Sequence, residues 1–157
     1  MSESVQSFYG NRLRTRACGI CIDRGRLLLV SHRGLSAGDF WAPPGGEIAL
    51  GESAAACVTR EIREETGLPV IVGKFLFAAE FIRLPLHAIE LFFEVTPVGS
   101  DIRTGTDPEA GSPTLITDVK YMAWDEIVSL PADQRHGLFK QVSNLPEILS
   151  LHGYFRI

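Results

Sequence analysis

No stretch of this chain approaches the roughly 20 consecutive apolar residues that a bilayer-spanning helix requires. The first ten residues, MSESVQSFYG, lack the basic start and apolar run of a secretory signal. The expected location is therefore the cytoplasm, in solution and away from membranes. Positive charge is also scarce: 15 Lys and Arg stand against 19 Asp and Glu, a net charge of -4. Broad nucleic-acid binding needs a basic face that displaces counterions, so it is not expected. A small phosphorylated partner stays compatible, because a cation can neutralise such a site locally.

Cysteine is sparse as well, at Cys18, Cys21 and Cys57. Cys18 and Cys21 make a CxxC, but no second ligand pair follows at zinc-site spacing. A redox CxxC would open a helix, whereas RACGICI is a β-like run. In a strand, positions three apart point to opposite faces, so the pair reads as two small core residues. Repeats and low-complexity segments are absent. With 157 residues, 45% hydrophobic and 22% charged, the chain fits one domain over 1–157 with a sizeable core.

What is present is a patterned series of short elements. Residues 15–23 and 26–31 read as strands around an Asp23-Arg24-Gly25 turn. Glycine and proline make 34–51 largely loop. A helix is expected from about Glu52 to Thr66, ended by Gly67 and Pro69. Residues 70–82 are β-rich, with Gly73 a candidate bulge. Residues 87–95 alternate, with Ile89, Leu91, Phe93 and Val95 on one face and Glu90, Phe92 and Glu94 on the other. A long loop over 97–118 precedes a last strand at 119–124. Asp125 is a candidate cap for a short helix to about Leu130, and 133–150 reads as helical up to Pro146. This order suits an α/β fold with a mixed sheet and helices on its faces.

The helix carries an oddity. At 100° per residue, Glu61, Glu64 and Glu65 share an arc of about 100°, and that arc borders the apolar positions Ala55, Val58 and Ile62. The Glu61/Glu65 pair repels by a few tenths of a kcal/mol. Glu64 and Glu65 also sit at the negative end of the helix dipole, at about 0.3–1 kcal/mol each. Arg60 can offset part of this through Glu64. A solvated acidic face would account for the residues. So would a divalent-cation site, since clustered oxygens suit Mg²⁺ or Mn²⁺ shared with water and phosphate. The preceding Pro-Pro-Gly-Gly run, which ends at Gly46, permits close approach of main chain to an ion or phosphate.

Together these residues resemble the signature of the Nudix hydrolase family, MutT-like enzymes of pattern G-x5-E-x7-R-E-U-x-E-E-x-G-U with U a bulky aliphatic residue. Gly46, Glu52 and the run Arg60-Glu61-Ile62-Arg63-Glu64-Glu65-Thr66-Gly67-Leu68 fill every specified position. Trp41 ahead of Pro-Gly-Gly, and Trp124-Asp125-Glu126-Ile127, are familiar accompaniments; Pro43 departs from the usual Leu-like residue. The resemblance implies an α/β/α sandwich with a mixed β-sheet. It also implies Mg²⁺- or Mn²⁺-dependent hydrolysis of a nucleoside diphosphate linked to a group X, by metal-activated water. Carried over, Glu61, Glu64 and Glu65 would be metal ligands, with the Gly45 carbonyl a further one. Glu61, Glu64 and Arg60 would be the catalytic set, Arg60 orienting a glutamate and Glu52 supporting loop and helix.

Substrate marks are weaker. The proline common in ADP-ribose hydrolases of the family falls two residues late, at Pro85, with Arg83 at the usual offset. An NADH mark and a dinucleoside-polyphosphate tyrosine are both missing. X therefore stays open between a nucleotide sugar such as ADP-ribose and a nucleoside triphosphate. Glu90, Glu94 and Glu109 are candidates for an additional metal ligand or base, each equally readable as an ordinary strand or loop acid. Phe40, Trp41, Phe81 and Phe92 are candidate base platforms or core, and Arg33, Arg83 and Lys120 candidate phosphate contacts or surface. Two alternatives remain: a nucleotide-metabolite sensor without hydrolysis, and an RNA 5′-pyrophosphohydrolase. The intact signature and the short 133–157 tail count against the first, and the acidic balance against the second. Homodimerisation follows only from family habit.

Overall fold

The computed structural model describes residues 3–36, 38–105 and 115–157. Turn chemistry sets its first hairpin. Arg24 and Gly25 both take positive φ, 48° and 73°, which is the twist a two-residue hairpin loop needs. They join β2 (Ile22–Asp23) to β3 (Arg26–Arg33), which also pairs with β4 (Phe40–Ala42) and β8 (Leu115–Met122), antiparallel throughout. A second sheet is ordered β5–β1–β7–β6–β9, from β5 (Gly45–Glu47), β1 (Arg12–Ile20), β7 (Leu86–Pro97), β6 (Val70–Arg83) and β9 (Tyr154–Arg156). It is mixed: β1 runs parallel to β7 and β9 parallel to β6, while β6 and β7 form an antiparallel hairpin.

The run Leu27-Leu28-Leu29-Val30 explains the layering. All four are fully buried, which in a strand requires cover on both faces. Leu28 and Val30 join Val58 and Ile62 of α2 (Ala54–Thr66) in one core. Leu27 and Leu29 join Phe77, Phe92 and Ile127 in the other, with Ile127 from α3 (Trp124–Ser129) and further cover from Leu138 and Phe139. Helix lies on both sides, giving the expected α/β/α arrangement. Cys18 falls in one core and Cys21 in the other, as positions three apart in an extended chain should, and all three thiols are free and buried.

Several expectations need correction. The helix α1 (Glu3–Tyr9) was not readable: seven residues are too few to hold a helix by propensity alone. The expected loop at 34–51 contains β4 and β5, whose three-residue lengths give no periodic signal. Glu52 lies before α2, whose cap is Ser53, its hydroxyl accepting from the Ala56 N–H. The strand expected at 119–124 is β8, which starts earlier, at Leu115, and ends at Met122; it is not the last, because β9 follows. Asp125 does not cap α3; the Glu126 carboxylate accepts the Ala123 N–H at 2.7 Å instead. Residues 133–150 are not one helix but two 3₁₀ turns (Ala132–Gln134 and Gly137–Lys140) and α4 (Leu145–Ile148). The His136 N–H leaves for the Trp41 carbonyl, which a continuous helix would forbid. The Gly73 expectation holds, since the β6–β7 register shifts between Val72 and Phe75.

Candidate active site

The carboxylate face of α2 is built by its two ends. Ser53 starts the helix and Gly67, at φ 74°, stops it, its N–H returning to the Arg63 carbonyl. The last-turn carbonyls of Glu65 and Thr66 accept main-chain N–H groups from Gly105 and Arg103. Those donors soften the negative helix end that makes acidic residues unwelcome there.

On that face Glu61 and Glu65 are 6% and 4% exposed, far more buried than a solvated acidic stripe would be. Glu64 stays partly open, its side chain 32% exposed. Arg60 ties the group together. Its Nε and Nη2 donate to the two Glu52 oxygens at 2.8 and 2.9 Å. Its Nη1 reaches Glu61 at 2.6 Å and Glu64 at 3.1 Å. The Arg60 hydrogen bonds hold the Glu52 carboxyl down at about 2. Burial acts oppositely on Glu61 and pushes its carboxyl above the usual range, despite Arg60.

The main chain of β5 closes over these groups. The Gly45 N–H donates to Glu65 Oε2 at 2.9 Å. The Gly45 carbonyl accepts from Arg16 Nη2 at 2.8 Å and keeps a second lone pair. At Gly46 a Cβ would fall 2.2 Å from Glu61 Oε1, so the close approach depends on glycine. Gly46→Ala should therefore destabilise by about 1–3 kcal/mol through overpacking. Its denaturation midpoint measures this; a wild-type midpoint would mean that Glu61 swings clear without cost.

A cavity opens beside them, lined by Glu61 and Glu65 of α2 and by Arg14 and Arg16 of β1, with Gly45, Gly46, His32 and Phe40 among its other lining residues. His32 Nε2 stands 4.0 Å from Glu65 Oε1. Arg14 lies with its guanidinium 4.0 Å above the Tyr9 ring and donates to Glu47 at 2.9 Å. The arginine lining was missed in the sequence, yet a signal existed. In RLRTR the period of two puts Arg12, Arg14 and Arg16 on one strand face.

The other expected contacts are elsewhere. Arg33 is mostly exposed beside Asp39, Lys120 pairs with Asp118, Arg83 is exposed, and none lines the cavity. Trp41 and Phe92 are core; Phe81 is half-buried off the cavity, and Phe40 alone of these rings reaches it. Glu94 faces outward near Lys74 at 3.9 Å. Glu90 is interior and bonded to Arg16 and His136. Glu109 lies outside the described residues.

The donor chemistry fits Mg²⁺ or Mn²⁺: carboxylates and a carbonyl, with no sulfur or imidazole needed. Among the described residues no three side chains are already gathered as a ligand cluster, since Arg60 and Gly45 hold the carboxylates. Mg²⁺ needs only one or two carboxylates when water and phosphate supply the rest. Glu61, Glu65 and Gly45 line the cavity, while Glu64 stands outside its lining and is joined to Glu61 through Arg60.

A NUDIX domain model matches residues 11–144. The chain belongs to the NUDIX family. Within this family it is 28% identical over 109 residues to an ADP-ribose pyrophosphatase of Methanocaldococcus jannaschii, covering 68% of this chain and 64% of that protein. It is also 28% identical over 115 residues to the NAD-capped RNA hydrolase NudC of Stutzerimonas stutzeri, covering 73% and 38%. The chain thus spans less than two thirds of either relative's length. A NUDIX hydrolase from Nitrosomonas europaea superposes with a TM-score of 0.72 at 19% identity, over 88% of this chain and 89% of that one. A MutT protein from Methanosarcina mazei gives 0.68 at 18%, over 88% and 94%. These two likenesses establish the NUDIX fold. Among the described residues no helix is long and apolar enough to cross a membrane.

Proposed function

We propose that the protein hydrolyses the diphosphate linkage of a nucleoside diphosphate joined to a second group, with Mg²⁺ or Mn²⁺. One observation carries this: Arg14 and Arg16 of β1 line the same cavity as Glu61 and Glu65 of α2. Such a cavity accepts a group that is anionic and yet can share a cation. A divalent ion held by Glu61, Glu64, Glu65 and the Gly45 carbonyl would supply charge neutralisation at phosphate and a lowered pKa for water. The protein's own residues do the remainder. Arg14 and Arg16 bind the phosphates, and Arg60 holds Glu61 and Glu64 in place while anchored on Glu52. Burial raises the Glu61 carboxyl, which favours its taking a proton. Glu64, the more open carboxylate, lies outside the cavity lining but beside Glu61, where it would be available to a bound cation. Three free, buried thiols suit a reducing cytoplasm.

ADP-ribose is the first substrate to try, given the Methanocaldococcus jannaschii relative. The Stutzerimonas stutzeri relative favours a second reading, in which X is the 5′ end of an RNA capped with NAD. The test is a panel with Mg²⁺ and with Mn²⁺: ADP-ribose, nucleoside triphosphates, nucleotide sugars, dinucleoside polyphosphates, NADH and NAD-capped RNA. Turnover of at least one is expected. Folded protein that cleaves none, but binds one tightly in a calorimeter, would make it a sensor.

A further inference from the structure

Behind Arg16 lies a buried pair that the reading above does not use. Glu90 and His136 are 3% and 7% exposed, and their side chains meet at 2.7 Å. The Leu138 N–H donates to His136 Nδ1 at 3.2 Å, so the imidazole proton sits on Nε2 and is donated to Glu90. The rings of Phe92 and Phe40, 5.7 and 6.4 Å away, hold the imidazole edge-on. The other Glu90 oxygen accepts from Arg16 Nη1 at 2.8 Å.

From Arg16 the bonding continues into the site. Nη2 donates to the Gly45 carbonyl, and the Gly45 N–H donates to Glu65. One run of hydrogen bonds thus joins the C-terminal layer to α2 through the main chain of β5. Within it Arg16 is under-used. A guanidinium has five N–H donors, and two are spent here. Among the described residues the buried Nε–H has no partner, so the donors left for a ligand are the remaining N–H groups of Nη1 and Nη2. An arginine serving only to neutralise Glu90 would have no reason to border an open cavity with donors unspent.

We propose that Glu90 and His136 are positioning residues that fix the Arg16 guanidinium, already assigned to the phosphates above, between the substrate diphosphate and the Gly45 carbonyl. The identity of the anion rests on the hydrolase reading. The planar fork of arginine matches phosphate oxygens, which a lysine ammonium does not.

Methylenediphosphonate, a diphosphate that cannot be hydrolysed, is the probe. It is titrated by calorimetry in millimolar Mg²⁺, alongside KM and kcat on the best substrate and the Tm of each variant. Arg16→Lys should weaken binding by about tenfold and raise KM similarly. His136→Leu should weaken binding by about threefold or more, with KM moving and kcat largely kept. His136→Gln, which returns an N–H donor near the Nε2 position, should recover most of that loss. A His136→Leu protein with lower Tm but wild-type binding and KM would reduce the pair to packing and overturn the positioning role. Wild-type affinity in Arg16→Lys, or no binding by the wild type, would overturn the phosphate contact. Binding that depends on Arg16 without turnover of any substrate would sink the hydrolase reading and leave the contact standing. If His136→Leu does not fold, His136→Asn, whose shorter amide stops short of Glu90, replaces it against His136→Gln.

Discussion

Glu64→Gln should lower kcat on the best substrate by at least about a hundredfold, the upper range for losing even an indirect metal partner. It should do so without loss of stability. Glutamine keeps the length of the side chain and one acceptor for Arg60, which reaches Glu64 at 3.1 Å. It also deletes one of three carboxylates crowded at the negative end of α2, which relieves a few tenths of a kcal/mol of repulsion. A residue kept for structure would behave in the opposite way. Activity and Tm measured on one preparation separate the two. Full kcat with Mg²⁺ would remove Glu64 from the site.

Mg²⁺ should raise the Tm of the wild type. A ligand at about a hundred times its Kd adds about 2.7 kcal/mol to the folded state. For a domain of this size, about 2–4 °C per kcal/mol makes that a shift of about 5–11 °C. The gain should shrink in Glu64→Gln. Its pH dependence follows from Glu61. Burial raises that carboxyl, so its contribution to stability is fully present below the unfolded value and fades as pH rises through the folded one. Without metal, Tm should therefore rise on mild acidification, while the Mg²⁺ gain falls because protons compete for the same oxygens. Glu52 runs the other way. Held at about 2 by Arg60, it supports the fold above its unfolded value and is lost only as pH falls toward 2. A Tm that ignores millimolar Mg²⁺ at neutral pH would sink the cation site, and the Glu61 burial would then stand as a cost with no offset.

What the residues determine unaided is local. The α2 helix, its Gly67 stop and the common face of Glu61, Glu64 and Glu65 follow from a 3.6-residue period and cap chemistry, which act within a few residues. The split of Cys18 and Cys21 between two cores follows from the strand period in the same way. Alternation along β7 was readable too, but not which face points inward. Glu90 shares its face with Phe92, and nothing near it in the chain says that this face is covered. The parallel pairing of β1 with β7 decides that, by setting Arg16 beside Glu90 across 74 residues. Likewise β5 is too short to read, yet its pairing with β1 delivers the Gly45 N–H to Glu65. His136 arrives from a segment whose own pattern suggested a plain helix. Periodicity assigns a residue to a face; only register and the packing of distant elements decide what that face meets. The carboxylates of the candidate site and the arginine face of RLRTR were therefore legible in the chain, while their meeting in one cavity, and the buried pair behind Arg16, belong to the tertiary structure.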